Sequence, residues 1–272
     1  MPQTFLAPIQ SANPRKRCEM SKRVLITGVT SGIGRVVFEK ALKRNYEITC
    51  VLRREEQRSL FADCPQEKVR LCIADLADKA QVELLSEELR DKSFDYILFN
   101  AGCSETGIFH KTTDESIERI MQANLLANMH LTHALLPKAL EKKTRLVYVS
   151  SLMAHMPGIN CASYATSKSA LSHFVYSLRC MYPALPILCV EIGPVDTPLH
   201  AKVKNDISRH KKFFKSAEKI GGLLFDAMHA KRGLTTLQPE WTVLRKFMMT
   251  FEGLTRRIFQ TQTYVVYPDK KS

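Results

Sequence analysis

The chain of 272 residues contains no apolar run long enough to cross a bilayer as a helix, which takes about 20 residues. Residues 1–20 also lack the apolar core of a secretory signal. Glycine and proline are scarce, at 11 and 12 residues, and no sequence unit repeats, which excludes collagen-like and repeat proteins. With 45% hydrophobic and 25% charged residues, the chain is expected to fold as one large domain in the cytoplasm.

Paired cysteine motifs are missing too. The eight cysteines form no C-x-x-C pair and no histidine-rich segment accompanies them, so we predict neither a disulfide framework nor a metal site. Cys50, Cys72 and Cys189 lie within apolar runs. We therefore expect buried, reduced thiols, as in an intracellular protein.

Excess positive charge is confined to the two ends of the chain. The formal net charge is +13, yet residues 24–199 hold twenty basic and twenty acidic residues. Residues 200–272 hold fifteen basic and six acidic residues, and residues 1–23 hold five and one. A basic end favours an anionic partner, such as a phospholipid surface or an acidic carrier protein. Nucleic-acid binding is not expected, because no recognition motif accompanies the charge.

From residue 23 onward, short β-rich apolar runs alternate with helical patterns. Runs without polar alternation predict strands covered on both faces, and the alternation predicts a doubly wound, Rossmann-like parallel α/β sheet. The predicted strands are Val24–Thr27, Ile48–Leu52, Val69–Ile73, Tyr96–Asn100, Leu146–Ser150 and Ile187–Ile192. The predicted helices are Ile33–Arg44, Lys79–Arg90, Ser116–Lys142, Tyr164–Met181, Ser216–Lys231 and Pro239–Gln260.

This pattern predicts three parts of the chain. Residues 1–22 form a flexible basic arm, and residues 23–237 form a single domain that includes a substrate lid at about 196–215. Residues 238–272 form a basic, amphipathic extension with Trp241, Phe247 and Phe251 at helical spacing. Three interpretations of this extension remain open: packing on its own core, a dimer contact, or attachment to a membrane surface.

A glycine-rich turn, Thr27-Gly28-Val29-Thr30-Ser31-Gly32-Ile33-Gly34, joins the first predicted strand to the first helix. Such a turn suits a pyrophosphate, because backbone N–H groups and the helix dipole point at the anion. Its spacing, G-x-x-x-G-x-G, differs from the G-x-G-x-x-G dinucleotide fingerprint. A dinucleotide site at this position is therefore predicted from the place of the turn in the α/β pattern.

The end of the second predicted strand indicates which dinucleotide binds. NAD sites usually carry an acidic residue there, whereas this strand ends in Arg53-Arg54. Two guanidinium groups suit a 2′-phosphate, so we infer NADP(H). The alternative is a solvated charge pair with the following Glu55 and Glu56. Asp75-Leu76 ends the third predicted strand, where the Asp75 carboxylate can accept from the adenine amino group. Asn100-Ala101-Gly102 ends the fourth, where small residues let the backbone pass close to the ribose.

Tyr164 and Lys168 lie four residues apart on a predicted helix, so their side chains share one face. A neighbouring ammonium group favours the phenolate, so we expect the tyrosine pKa to fall below about 10 and the phenol to act as a proton donor. Ser150 and Ser151 end the preceding strand, where a hydroxyl could hold a substrate oxygen.

Together these motifs resemble the short-chain dehydrogenase/reductase family. The matching segments follow the family's order and spacing across residues 23–199: Thr27–Gly34, Asp75, Asn100-Ala101-Gly102, Asn124, Ser151, Tyr164-Ala165-Thr166-Ser167-Lys168 and Gly193-Pro194-Val195-Asp196-Thr197. The resemblance implies a Rossmann fold and an NADP(H)-dependent oxidoreductase that interconverts ketones and secondary alcohols. Members of the family end soon after a seventh strand, but no clear seventh strand is predicted here, and Leu234–Leu237 is the only candidate.

The resemblance also implies residue roles. Tyr164 would protonate the carbonyl oxygen, Ser151 rather than Ser150 would hydrogen-bond it, Lys168 would bind the nicotinamide ribose, and Asn124 would hold a relay water. The implied cofactor residues are Gly28, Thr30, Ser31, Gly32, Ile33, Gly34, Arg53, Arg54, Asp75, Leu76, Asn100, Ala101, Gly102, Tyr164, Lys168, Pro194, Val195 and Thr197.

Substrate choice is expected to depend on residues 152–162 and on the lid. Ser151, Met153, Met156 and Tyr164 are the predicted substrate-binding residues, and His155, Ile159, Cys161, Phe213 and Phe214 are further candidates. These adaptable apolar side chains favour a lipid-like, 3-oxoacyl or steroid-like carbonyl, although packing against the lid is an equal alternative. A homodimer or higher homo-oligomer is expected. The competing hypothesis is a non-catalytic NADP-binding sensor or a membrane-associated adaptor.

Overall fold

The computed structural model describes residues 21–105, 107–158, 160–197 and 214–238, with isolated positions between 240 and 254. Seven parallel strands form its central sheet: β1 Arg23–Thr27, β2 Glu47–Leu52, β3 Val69–Ile73, β4 Tyr96–Phe99, β5 Arg145–Ser151, β6 Ile187–Ile192 and β9 Gly233–Thr236. Their order across the sheet is β3-β2-β1-β4-β5-β6-β9. Two short strands, β7 Val195–Asp196 and β8 Lys215–Ser216, pair with each other.

Helices cover both faces of the sheet, as the unbroken apolar runs predicted. They are α1 Gly32–Lys43, α2 Lys79–Leu89, α3 Asp114–Met121, α4 Ala127–Lys142, α5 Ala162–Met181 and α6 Ala217–Ala230. Apolar side chains of α1 and α6 form the core on one face, and those of α2, α4 and α5 form the core on the other. The predicted Rossmann-like α/β fold is confirmed, with boundaries of the first six strands within one residue.

Burial of the cysteines follows the sequence prediction. Cys50, Cys72 and Cys189 are all buried within the sheet. Burial raises the pKa of each of these thiols, because the low-dielectric core disfavours the thiolate.

The sequence shows no clear seventh strand and offers only Leu234–Leu237 as a candidate, yet the strand is present and overlaps that candidate. Residues Gly233–Thr236 form β9, which pairs in parallel with β6 from Leu188↔Gly233 to Glu191↔Thr236. The strand has only four residues, and Gly233 begins it with a φ of 92°, so the local pattern resembles a turn. Pairing with the fully buried β6 supplies the stability that four residues lack by themselves.

The long helix predicted over 116–142 is interrupted. A π-helical turn, Gln122–Leu126, joins α3 to α4 and contains the buried Asn124. Such turns insert one extra residue per turn and are frequent at functional sites. The helix after it ends at Lys143, which has a left-handed backbone with φ of 54°.

Several predictions fall outside the described residues. They include the basic arm over 1–20, lid residues 198–213 and most of the extension after residue 238. The division of the chain into arm, domain and extension therefore stays a prediction. Within the described part, no helix is long and apolar enough to span a membrane, and no group of metal-ligating side chains is found.

Two adjacent glycines in α6 allow a matched test of this packing. A Cβ added at Gly221 would lie 2.6 Å from Cβ of Val36 on α1, whereas one at Gly222 would meet only the end of Lys40, at 3.4 Å. We expect Gly221→Ala to lower the free energy of unfolding by about 1–3 kcal/mol through overpacking. Gly222→Ala should raise it by about 0.5–1 kcal/mol through helix propensity.

Denaturant unfolding of both variants measures the difference. Equal effects of the two substitutions would contradict the contact between α1 and α6.

Candidate active site

The glycine turn after β1 has the geometry of an anion cradle. Gly28 and Gly32 adopt positive φ values of 72° and 56°, which favour glycine. A Cβ at Gly34 would lie 2.0 Å from the carbonyl oxygen of Gly28, so the start of α1 packs directly on the turn. These glycines let the N-terminus of α1 lie close to the turn at the cleft, so the turn fits the phosphates of a dinucleotide.

Hydrogen bonds join this turn to the end of β4. The buried Thr27 hydroxyl oxygen accepts from the backbone N–H groups of Asn100 and Ala101, each at 3.0 Å. The side-chain amide of Asn100 donates to the carbonyl oxygens of Thr27 at 3.2 Å and Gly28 at 3.0 Å. The Asn100 segment is thereby held against the glycine turn, at the carboxyl ends of the two central strands.

A cleft of about 520 Å³ opens at these strand ends. Nearly all of the predicted site residues line it: Gly28, Thr30, Ser31, Gly32, Ile33, Arg53, Asp75, Leu76, Asn100, Ala101, Gly102, Ser151, Met153, Met156, Tyr164, Lys168, Pro194, Val195 and Thr197. Gly34, Arg54 and Asn124 are not among its lining residues. Gly34 packs beneath the turn, and Asn124 is fully buried behind the cleft.

Arg53 and Arg54 differ in their relation to the cleft. Arg53 lines it and Arg54 does not, because the chain turns sharply after β2. Gln57 causes this turn, since its side-chain oxygen accepts from the backbone N–H groups of Arg53 at 2.9 Å and Arg54 at 3.1 Å. Glu55 pairs with Arg58 and leaves the two arginines without an ion pair among the described residues.

Two further polar residues reach this end of the cleft and were missed from the sequence. Gln57 lines the cleft beside Arg53, and Arg119 reaches it from α3. The guanidinium of Arg119 is exposed and lies 3.8 Å from the Glu105 carboxylate. A glutamine three residues after a helix N-cap is a sequence signal for a turn of this kind, whereas Arg119 occurs in a charged helix segment that offers none.

The catalytic end brings Ser151 and Tyr164 together. Both residues line the cleft, and the Ser151 hydroxyl lies near enough to the Tyr164 phenol to favour its ionised form. The hydroxyl of Ser150 instead bonds the Ser172 hydroxyl at 2.7 Å and the backbone oxygen of Lys168 at 3.2 Å. Successive strand residues point to opposite faces, so only Ser151 is directed at Tyr164.

Asn124 and Lys168 lie behind the tyrosine. Asn124 is held by the backbone N–H and oxygen of Cys103, at 2.8 and 2.9 Å, and it donates to the Ser167 hydroxyl at 2.9 Å. The Lys168 ammonium donates to the backbone oxygen of Val149 at 2.9 Å. Both side chains approach Gly102, where an added Cβ would lie 3.2 Å from Asn124 Oδ1 and 3.5 Å from Lys168 Nζ.

The expected fall in the tyrosine pKa is not found. Burial raises the pKa of Tyr164 to about 12, and the nearby Ser151 hydroxyl opposes this rise. Burial lowers the pKa of Lys168 to about 8. Desolvation is the dominant effect because Lys168 is buried, Tyr164 is partly buried, and the Lys168 nitrogen lies 6.0 Å from the Tyr164 ring centre. The phenol is therefore protonated at neutral pH and available as a donor.

The wall beyond Ser151 is mostly apolar. Met153, Met156 and Phe214 line the cleft, whereas His155 does not. The His155 ring instead donates from Nε2 to the carboxylate of Glu191, a fully buried residue of β6. His155, a candidate for the substrate wall from the sequence, is thus engaged in the interior instead. Ile159 and Phe213 lie outside the described residues.

Comparisons with known proteins agree with this arrangement. A family model described as short chain dehydrogenase matches residues 22–208. The chain is 30% identical over 199 residues to a hydroxysteroid 11-beta-dehydrogenase 1-like protein of Xenopus tropicalis, covering 68% of this chain and 69% of that protein. It is 24% identical over 198 residues to the NADPH-dependent 3-dehydrocapnine reductase of Ornithobacterium rhinotracheale, covering 69% and 70%.

A solved structure supports the fold independently. The short-chain dehydrogenase from Sphingobium yanoikuyae in complex with NADPH aligns with a TM-score of 0.74 at 21% identity. The alignment covers 85% of this chain and 95% of that one.

Burial of Lys168 predicts a pH dependence of stability. Its pKa is lowered from 10.5 to about 8 on folding, so between these values the unfolded chain binds more protons at this site and the group's contribution to stability rises with pH. Lys168→Met removes that rise, which amounts to about 1.4 kcal/mol per pKa unit. The stability of Lys168→Met relative to the unsubstituted protein should therefore decline from pH 7.5 to 10.

Urea unfolding of the two proteins at several pH values measures this difference. A difference in the free energy of unfolding that stays constant from pH 7.5 to 10 would show that Lys168 is not desolvated.

Proposed function

The chain belongs to the short-chain dehydrogenase family of oxidoreductases, and from this we propose that it transfers hydride between NADP(H) and a hydrophobic ketone or secondary alcohol. The observation that carries the proposal is the convergence of Ser151, Tyr164 and Lys168 at one end of the cleft whose other end holds the glycine turn and Arg53. A proton donor and a dinucleotide cradle in one cavity suit carbonyl reduction.

In the reduction direction, Ser151 would hydrogen-bond the carbonyl oxygen, and the protonated Tyr164 phenol would donate its proton to that oxygen. Lys168 would stabilise the resulting phenolate by its positive charge and would hold the cofactor's ribose. Asn124 keeps the backbone of Cys103 and the Ser167 hydroxyl in place beside them. A bound nicotinamide would supply the hydride.

Arg53 and the lack of an acidic side chain at the end of β2 support NADP(H) over NAD(H). The guanidinium lines the cleft next to Gln57 and has no ion-pair partner among the described residues, so it is available to a 2′-phosphate. The relative from Ornithobacterium rhinotracheale is NADPH-dependent by name, which agrees with this choice.

The apolar wall supports a hydrophobic substrate. Met153, Met156 and Phe214 line the same cleft as Ser151 and Tyr164. A lipid, 3-oxoacyl or steroid-like carbonyl would bury apolar surface against this wall. The name of the Xenopus tropicalis relative, which refers to a hydroxysteroid, is in keeping with this class.

We further propose a cytoplasmic homodimer or higher homo-oligomer that contacts a membrane or an acidic carrier through its basic C-terminal region. Exposed apolar side chains on α4 and α5, including Met129, Tyr176 and Met181, support self-association. The fifteen basic and six acidic residues of 200–272 support attraction to an anionic surface.

Oxidation of NADPH against a panel of ketones tests the proposed activity. We expect bulky apolar ketones to be reduced and Tyr164→Phe to lose about 10²–10⁴-fold in rate, because the proton donor is removed. Ser151→Ala should lose about 10²-fold, whereas Ser150→Ala, whose hydroxyl is turned into the protein, should keep its rate and lose about 1 kcal/mol of stability.

Absence of turnover with every ketone, together with intact NADPH binding, would instead support a non-catalytic sensor. Liposome binding that is lost on removal of residues 239–272, again without turnover, would support a membrane adaptor.

The two arginines after β2 provide a matched test of cofactor choice. Arg53→Ala should weaken NADPH binding by about 10–100-fold through loss of a charge-assisted contact and leave NADH binding nearly unchanged. Arg54→Ala, outside the cleft, should change either affinity by less than about threefold.

Fluorescence titration with both dinucleotides measures these affinities. Equal losses of affinity for NADPH and NADH in Arg53→Ala would contradict the proposed contact between Arg53 and the 2′-phosphate.

A further inference from the structure

One glutamine outside the recognised motifs has an unusual environment. Gln238 follows β9 by two residues and its side chain is buried, with 2% of its surface exposed. Burying a carboxamide is unfavourable unless its polar atoms are paired. Its oxygen accepts from the backbone N–H of Gly193 at 2.6 Å, and its nitrogen donates to the backbone oxygen of Pro194 at 3.3 Å.

These two hydrogen bonds continue the pairing of β6 with β9. The strands pair as far as Glu191↔Thr236, and the backbone N–H of Leu237 then donates to the Glu191 oxygen at 3.4 Å. Gly193 and Gln238 lie two positions further along in the same register. At this position the side-chain amide of Gln238 makes the hydrogen bonds that a strand backbone would otherwise make. Its oxygen is the acceptor and its nitrogen is the donor toward the turn.

The Gly193–Pro194 turn is shaped around this side chain. A Cβ at Gly193 would lie 2.7 Å from the Gln238 oxygen, so a larger residue there would displace the glutamine side chain. The Pro194 oxygen also accepts from the backbone N–H of Lys215 at 3.2 Å, which starts β8. The turn is therefore held from both sides.

The same turn forms part of the cleft. Gly193, Pro194 and Val195 line it together with Tyr164 and Lys168. Gln238 itself does not line the cleft, so its effect on any bound molecule must pass through the turn.

We infer that Gln238 is a positioning residue, which fixes the Gly193–Pro194 turn and thereby the placement of the nicotinamide end of the cofactor. This inference rests on the proposed function. The adenosine end is held by other groups, the glycine turn and Arg53, so loss of Gln238 affects orientation at the catalytic end more than overall affinity. Gln238, which follows the seventh strand, thus connects that strand to the turn that lines the cleft.

Gln238→Met tests the inference, because methionine keeps the approximate shape of glutamine and loses both hydrogen bonds. We expect kcat to fall about 10–100-fold while the dissociation constant of NADPH changes less than about threefold. The emission of bound NADPH at saturation should also differ from that of the unsubstituted protein, because the reduced nicotinamide sits in an altered environment.

Thr144→Val is the matched control. The Thr144 side chain is buried and donates to the backbone oxygen of Phe94 at 2.6 Å, remote from the cleft. Thr144→Val should lower the free energy of unfolding without changing the emission of bound NADPH or kcat. Unchanged emission and kcat in Gln238→Met would overturn the inference, and so would equal losses in the two variants.

A second approach keeps the test decisive if Gln238→Met folds poorly. Gly193→Ala would push the turn away from Gln238 and should reproduce the loss of kcat. The double variant Gly193→Ala/Gln238→Ala should have a kcat no lower than that of the more affected single variant, since both substitutions act on one contact. Fully additive losses would overturn the inference. Failure of the unsubstituted protein to bind NADPH or NADH would instead reject the proposed function.

Discussion

The buried hydroxyl of Thr27 holds the centre of the site together. It binds two successive backbone N–H groups, of Asn100 and Ala101, across the two central strands. In an open parallel sheet the cleft forms where neighbouring strands send their crossovers to opposite faces, and β1 and β4 are these strands here. The glycine turn, the Asn100 segment and, through Gly102, the Lys168 region are all placed relative to this junction.

Desolvation decides the chemistry available at the catalytic end. A phenol and an amine within one helical turn would shift towards phenolate and ammonium in water, but enclosure disfavours both charged forms. Tyr164 is therefore kept as a neutral donor, and the nearby Ser151 hydroxyl is the local group that favours ionisation. Hydrogen bonds of Asn124 to Cys103 and of Lys168 to Val149 hold the surrounding groups in place.

Much of the fold was predictable because parallel strands buried on both faces leave continuous apolar runs, and all six predicted strands are present. The four-residue β9 was not, because its pairing with β6 is a long-range contact that leaves little local pattern. Most of the residues named from the sequence at strand ends line one cleft in the structure. Gln57 and Arg119, which line the cleft, and Gln238, which bonds the turn beside it, were missed because their local sequence resembles an ordinary surface or turn.

The sequence alone determined the alternation of strands and helices, the glycine turn and the spacing of Tyr164 and Lys168 on one helix face, because these depend on local periodicity and backbone preference. Only the tertiary structure decided that Arg53 rather than Arg54 faces the cleft, and that burial raises the pKa of Tyr164. Side-chain direction at a turn and the dielectric around a buried group depend on residues distant in the chain, and no local pattern encodes them.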